Sequence, residues 1–89
     1  MLIEFDTAKD RANRAKHGIS LAAAESFEWD SAVIDPDTRF EYGEERFQGL
    51  GLIGNRVHTV VFTVRGNSLR IISLRKANKR EEKRYADQT

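Results

Sequence analysis

The amino-acid sequence predicts an α+β fold, in which a small antiparallel sheet carries the N-terminal helices on one face and is followed by a C-terminal helix. Three observations support this class. Alanine and larger apolar residues recur at helical spacing in residues 8–27, an alternation with a period of two begins near residue 45, and residues 77–86 are charged helix formers without Gly or Pro. Helices and strands that occupy separate parts of a chain are typical of α+β domains.

The N-terminal half predicts a strand and two helices. A short apolar run comprises Leu2, Ile3 and Phe5, and Asp6 after it is the expected N-cap of a first helix. That helix is expected to end before Gly18, because glycine adopts the left-handed conformation of a helix end at low cost. Ser20 is the expected N-cap of a second, shorter helix, and a turn at residues 35–37 follows it.

The C-terminal half predicts a three-stranded antiparallel meander and a terminal helix. Residues 45–50, 56–64 and 68–75 follow a period of two, and residues 56–64 are rich in β-branched side chains. Residues 65–68 supply the Gly and Asn of a tight hairpin connection between the last two strands. Residues 77–86 then form the predicted terminal helix.

Length and composition limit the class of protein. Eighty-nine residues correspond to one domain, residues 1–89, which is too small to enclose a deep cavity, so any active site is expected to be a shallow groove. The absence of Cys excludes disulfides and thiolate metal sites and fits a reducing cytoplasm. No apolar run reaches the roughly 20 residues of a membrane helix, and the run that Asp6 ends is not a targeting signal. We therefore expect a cytoplasmic protein without a membrane partner.

The net charge of +1 conceals a segregation of charge along the chain. Residues 25–45 contain eight acids against one arginine, whereas residues 65–84 contain eight bases against two acids. A basic stretch of this kind indicates a polyanionic partner for that part of the molecule.

Two possible ligand motifs do not carry their usual function. The letters of residues 49–54 match the dinucleotide fingerprint G-x-G-x-x-G, but the third glycine leads into a strand instead of a helix, so we interpret the motif as a hairpin or a bulge. His17 and His58 are the only histidines, and neither has a ligand partner at helical spacing. The sequence therefore predicts no metal site and no cofactor, and a structural role at the helix end is the favoured interpretation of His17.

The basic strand and the terminal helix hold the candidate binding residues. Strict alternation places Arg70 on one face of the predicted sheet and Arg75 on the other. A charged run is commonly only a solvated face, so composition alone leaves nucleic-acid contact and simple solvation as alternatives.

Short motifs are spread in order over nearly the whole chain. They are Phe5-Asp6, Lys9, Asn13, Lys16-His17-Gly18-Ile19-Ser20, Gly43-Glu44-Glu45-Arg46, Arg70-Ile71-Ile72-Ser73-Leu74-Arg75-Lys76-Ala77, Glu81 and Tyr85. In these motifs the chain resembles the BrnT family of bacterial toxins, from which it departs in residues 21–24 and at Gly49 and Gly51. The resemblance implies a RelE-like fold and a metal-independent endoribonuclease that cleaves mRNA and halts translation. It also implies a ribbon-helix-helix antitoxin of the BrnA type, which alone would contact operator DNA.

RNA cleavage without a metal needs a base for the 2′-hydroxyl, cations for the charge that builds on phosphorus, and an acid for the leaving oxygen. The candidates for charge stabilisation are Arg46, Arg65, Arg70, Arg75 and Lys76. Glu81 and Tyr85 lie one helical turn apart, so either is a candidate to transfer a proton or to orient Arg75, and Tyr85 is also a candidate to dock the helix. Further candidates for phosphate binding are Ser73, Lys79, Arg80 and His17. The alternative is a non-catalytic nucleic-acid-binding or protein-interaction module.

Overall fold

A computed structural model describes residues 2–39 and 41–89. It contains strand β1 (Leu2–Glu4), helix α1 (Thr7–His17), two 3₁₀ segments (Leu21–Ser26 and Trp29–Ser31), strands β2 (Val33–Pro36), β3 (Phe47–Ile53), β4 (Arg56–Arg65) and β5 (Ser68–Lys76), and helix α2 (Lys79–Gln88). The predicted α+β class is confirmed. None of the helices in the described ranges is long and apolar enough to cross a membrane.

The sheet has five strands in the order β1-β5-β4-β3-β2 and is mixed. β3, β4 and β5 form the predicted antiparallel meander, and β2 adds to it antiparallel to β3. β1 lies parallel to β5, with Leu2 opposite Ser68 and Glu4 opposite Arg70. The prediction of a purely antiparallel sheet was therefore wrong. A pairing between the first and last strands of a chain leaves no local pattern in the sequence.

The predicted turn at residues 35–37 was also wrong, because Asp35 and Pro36 belong to β2. β2 is an edge strand, and Pro36 is its last residue, opposite Phe47 of β3. Proline is tolerated at such a position, because an edge strand has a side without ladder hydrogen bonds. The Asp-Pro-Asp sequence therefore ends a strand here.

Both ends of α1 form as predicted. The Asp6 side chain accepts a hydrogen bond from the Lys9 backbone N–H at 3.0 Å, which makes it the N-cap. Gly18 has a φ of 73°, and its N–H donates to the Arg14 carbonyl at 2.9 Å. Ser20 caps the next segment as expected, but that segment is a 3₁₀ helix instead of an α-helix.

One face of the sheet holds the hydrophobic core. The buried core cluster comprises Leu21, Ala24, Phe27, Val60, Phe62, Ile71 and Leu74. Its first three members come from the segment after α1 and the others from β4 and β5. Residues 49–53 of the glycine motif lie in β3, and Gly54, at a φ of 63°, lies in the turn to β4, so the hairpin is the one of the two interpretations that the structure shows.

α2 contacts the opposite face of the sheet. Thr59 precedes Val60 of the core cluster in β4, so its side chain and that of its β5 partner Arg75 point away from the cluster. Arg75 is ion-paired with Glu81 at the start of α2, and Arg84 near the end of α2 is ion-paired with Asp35 of β2. α2 therefore crosses this face from β5 to the far edge strand.

Candidate active site

A β-bulge decides which side chains of β5 share a face. In the ladder with β4, Phe62 is opposite Ile71 but Val61 is opposite Ser73, so Ile72 is an extra residue without a partner. Paired side chains point to the same face of a sheet. Arg70, Ser73 and Arg75 are paired with Thr63, Val61 and Thr59, respectively, which all point away from the core cluster.

The bulge therefore overturns the prediction that Arg70 and Arg75 lie on different faces. The extra residue shifts the alternation by one position, so both arginines lie on the face that α2 contacts. Arg65, two residues beyond Thr63 in β4, is on the same face. We call Arg65, Arg70, Ser73 and Arg75 the basic face of the sheet.

Arg75 is held by the start of α2. Its Nη1 and Nη2 atoms donate to the two carboxylate oxygens of Glu81 at 2.7 and 2.9 Å, and Nη1 also donates to the Lys76 carbonyl at 3.3 Å. Glu81 is itself fixed by a capping box, because it accepts from the Asn78 N–H at 2.9 Å while the Asn78 side chain accepts from the Glu81 N–H at 2.8 Å. The capping box at the start of α2 thereby also fixes the orientation of the Arg75 guanidinium.

The environment of Glu81 favours its charged form. Burial is the largest single influence and by itself raises the pKa of this carboxyl group. The hydrogen bonds from Arg75 and from the Asn78 N–H, the charge of Arg75 and the nearby Thr59 hydroxyl together outweigh burial, so the pKa of Glu81 lies below its ordinary value. Glu81 is therefore an anion at neutral pH.

His17 lies close enough to this pair to be influenced by Arg75. It is the last residue of α1 and is half-buried. Burial lowers the pKa of His17, and the positive charges of Lys16 and Arg75 lower it further. The imidazole is therefore mostly neutral at pH 7. His17 and Ser73 line one shallow pocket between α1 and the bulge of β5, so these two candidates lie together.

Two predicted arginines form a second cluster near the other end of the basic face. Arg46 precedes β3 and Arg65 ends β4, and each is within 3.4 Å of a different oxygen of Glu44. The guanidinium of Arg46 also stacks on the ring of Tyr42, 3.9 Å from its centroid. Arg70 is instead paired with Glu4 at 3.9 Å. The arginines predicted as one site are thus divided among three acids, because Arg46 and Arg65 share Glu44 whereas Arg70 and Arg75 each have their own partner.

The other candidates lie around α2. Lys76 is exposed at the end of β5, and Lys79 and Arg80 are exposed in the first turn of α2. Tyr85 is half-buried on α2, four residues after Glu81 and hence on the same side of the helix. Of all the candidates, Arg75 and Glu81 are the only two whose side chains are joined directly by the described contacts.

Buried polar side chains, for which the sequence predicted no role, hold α1 on β5. The Asn13 side chain donates to the Leu74 carbonyl at 2.8 Å and to the Ile19 carbonyl at 2.9 Å, and accepts from the Leu74 N–H at 3.1 Å. It thereby pairs with the backbone groups of Leu74, in a part of β5 that β1 does not reach. Asn13 belongs to the motifs of the resemblance, which was the only available signal for it.

A small α+β protein with a fixed arginine and a mostly neutral imidazole near the same face has a site suited to a phosphate group. Comparison with protein families gives the particular family: residues 5–81 match the family described as ribonuclease toxin, BrnT, of type II toxin–antitoxin system. The chain therefore belongs to the BrnT family. Comparison with curated proteins found no matching relative.

Proposed function

We propose that this ribonuclease toxin cleaves mRNA endonucleolytically without a metal ion, in the cytoplasm, and that Arg75 binds the scissile phosphate. The family assignment supports ribonuclease activity and an antitoxin partner. The observation that supports the role of Arg75 is the way in which Glu81 and Lys76 hold its guanidinium. We also infer a RelE-like arrangement for the toxin fold from the family resemblance.

The fixed guanidinium of Arg75 keeps one edge available. An arginine has five N–H groups, and Glu81 and the Lys76 carbonyl take three of them. Within the described residues, no hydrogen bond engages Nε–H or the second N–H of Nη2, which point in the same direction. This edge matches two oxygens of a phosphate, so Arg75 would stabilise the negative charge that builds on phosphorus.

Glu81 acts in this proposal as a positioning residue. Its carboxylate is charged at neutral pH and already accepts hydrogen bonds from Arg75 and Asn78, so it is poorly suited to donate a proton. Holding Arg75 in one orientation lowers the cost of ordering the guanidinium when RNA binds.

His17 is the group that we propose for proton transfer. Its neutral imidazole would accept the proton of the ribose 2′-hydroxyl as the 2′-oxygen attacks phosphorus. The bond from phosphorus to the 5′-oxygen then breaks, and the 5′-oxygen takes a proton from solvent. The products are a 2′,3′-cyclic phosphate and a free 5′-hydroxyl, and the step needs no further reactant.

Incubation of purified protein with total RNA, with and without EDTA, tests the activity. We expect equal cleavage under both conditions and growth arrest when the protein is expressed without its antitoxin. Strict dependence on added divalent ions would contradict metal independence. Binding of RNA without any cleavage would favour the non-catalytic alternative.

The variants Arg75→Ala and Arg75→Lys test the phosphate-binding role. We expect Arg75→Ala to abolish cleavage and Arg75→Lys to recover little of it, because a lysine ammonium is a point charge without a planar fork. Lys83→Ala, on an exposed residue paired with Asp87, is the control and should cleave normally. Near-normal cleavage by Arg75→Lys with an unchanged circular dichroism spectrum would refute the role.

We further propose that a BrnA-type ribbon-helix-helix antitoxin silences the toxin and provides the only contact with operator DNA. A shallow cationic site is blocked most directly by a partner that covers Arg70, Arg75 and α2, or an adjoining edge of the sheet. Hydrogen exchange on the complex is the test. New protection confined to residues 8–27, with residues 68–85 unchanged, would place the antitoxin elsewhere.

A further inference from the structure

The pocket between α1 and β5 carries two lysines that the proposed cleavage step does not use. Lys9 and Lys16 line it from α1, together with His17, and Ile72 and Ser73 line it from the bulge of β5. Lys9 and Lys16 are seven residues apart, so they lie on one side of α1, separated by two turns or about 10.5 Å. We call this pocket the α1–β5 seam.

The charges of the seam are not neutralised by the protein. Among residues 2–39 and 41–89, neither the Lys9 nor the Lys16 ammonium forms an ion pair with a carboxylate. The contrast on the same helix is Arg14, which pairs with Asp10 at 3.3 Å. Unpaired cations around a concave surface favour an anionic ligand.

The position of the seam connects it with the basic face. Ser73 belongs both to the seam and to the basic face. His17 lines the seam, and the positive charge of Arg75 on the basic face lowers the pKa of His17. A nucleic-acid backbone that places one phosphate at Arg75 would therefore have further phosphates within reach of α1. An acidic protein segment would match the charge but would not require this continuity.

We propose that the α1–β5 seam binds the RNA backbone next to the scissile phosphate, with Lys9 and Lys16 each contacting a phosphate. The proposal rests on the proposed function and adds a substrate-binding surface on α1. Lysines that contact phosphates without reading bases strengthen binding equally for all sequences. The logarithm of the binding constant falls linearly with the logarithm of the salt concentration. For single strands the slope is about 0.7 in magnitude per phosphate contact, so the slope counts such contacts.

The test measures binding of a fully 2′-O-methylated RNA oligonucleotide, which lacks the attacking hydroxyl, by fluorescence anisotropy over a range of salt. We expect Lys9→Ala and Lys16→Ala each to reduce the slope of log K against log salt by about 0.7. Lys9→Arg and Lys16→Arg should retain it. Alanine favours helix, so both alanine variants should keep the fold, and circular dichroism checks this.

Arg11→Ala is the matched control, because Arg11 is exposed on the same helix but does not line the seam. It should leave the slope unchanged. Unchanged slopes for both Lys→Ala variants would overturn the proposal. So would variants that weaken binding of the antitoxin but not of RNA, because the seam would then serve an acidic protein. Failure of the wild-type protein to cleave RNA would instead refute the proposed function.

Discussion

At the scale of single residues, polar side chains hold α1 against the rest of the fold. Asp10 and Asn13 are its buried residues, whereas Ala8, Ala12 and Ala15 are exposed. Asp10 accepts hydrogen bonds from the Ser20 hydroxyl at 2.9 Å and the Leu21 N–H at 2.8 Å. Hydrogen bonds are directional, so these contacts fix how α1 lies against the segment that follows it.

We expect Asn13→Ala to lower the free energy of unfolding by about 2–4 kcal/mol, because it leaves buried backbone groups of Leu74 and Ile19 without partners. Urea denaturation measures the change. The neighbouring exposed variant Arg11→Ala should stay within about 0.5 kcal/mol of the wild type. A loss below about 1 kcal/mol for Asn13→Ala would show that water replaces the amide.

The pKa of His17, followed by NMR titration, should lie below its ordinary value of 6.5. Arg75→Ala should raise it, since removal of a nearby positive charge makes protonation easier. Arg70→Ala is the control, because Arg70 does not contribute to the shift. If Arg75→Ala left the titration of His17 unchanged, the two groups would be too far apart to act on one phosphate.

At the scale of elements, the close packing of β3 beneath Phe27 depends on glycine. A Cβ atom built on Gly51 would lie 2.5 Å from Cζ of Phe27. The Phe27 ring is buried and packs edge-on against Trp29, with ring centroids 4.7 Å apart, so it has little room to move. The 3₁₀ segment therefore approaches the sheet more closely here than any larger residue would allow.

We expect Gly51→Ala to destabilise the protein by about 1–3 kcal/mol through overpacking. Gly49→Ala is the matched control in the same strand, because its Cβ would meet Val60 Cγ1 at 3.1 Å and requires only a small shift. Thermal unfolding of the two variants measures the difference. Equal stability of both would mean that the Phe27 ring moves without cost.

At the scale of the whole molecule, the acidic and basic stretches of the chain meet. Glu44 contacts Arg65, and Asp35 is ion-paired with Arg84, so two ion pairs join the stretches that the sequence separates. Within the basic stretch itself, Glu81 neutralises part of the charge of Arg75. Less of the segregated charge is therefore free for a partner than the sequence indicates.

Acid should destabilise the protein below about pH 4. The pKa of Asp10 lies below its ordinary value of 3.8, mainly because of the hydrogen bond from the Leu21 N–H, and the pKa of Asp37 is lowered mainly by its hydrogen bond from Arg39. The unfolded chain then binds more protons than the folded protein, so the stabilisation is present above the ordinary value and is lost as pH falls through the folded value. Urea midpoints between pH 2 and 7 measure this loss.

Asp10→Asn tests the contribution of a single carboxyl group to this acid effect. The variant should be less stable than the wild type at pH 7, and the difference should shrink toward pH 2, where the wild-type carboxyl is protonated. A constant difference over the whole pH range would show that the charge of Asp10 does not contribute.

The sequence by itself determined the local elements. Caps such as Asp6, Ser20 and Gly18, the hairpin at residues 65–68 and the alternation of β4 are short-range features, because each depends on hydrogen bonds or steric limits within a few residues. The family motifs likewise named Arg75 and Glu81 as candidates, and these two are joined in the structure by an ion pair.

Only the tertiary structure decided how these elements combine. Three features depend on contacts between residues that are distant in the sequence or on different elements. They are the parallel pairing of β1 with β5, the extra residue at Ile72 in the β4–β5 ladder, and the contact of Glu81 with Arg75. A single unpaired residue in β5 moved Arg70 and Arg75 onto one face, although strict alternation had separated them. The physical reason is that a bulge forms where two strands must fit each other, and the sequence of one strand does not contain that fit.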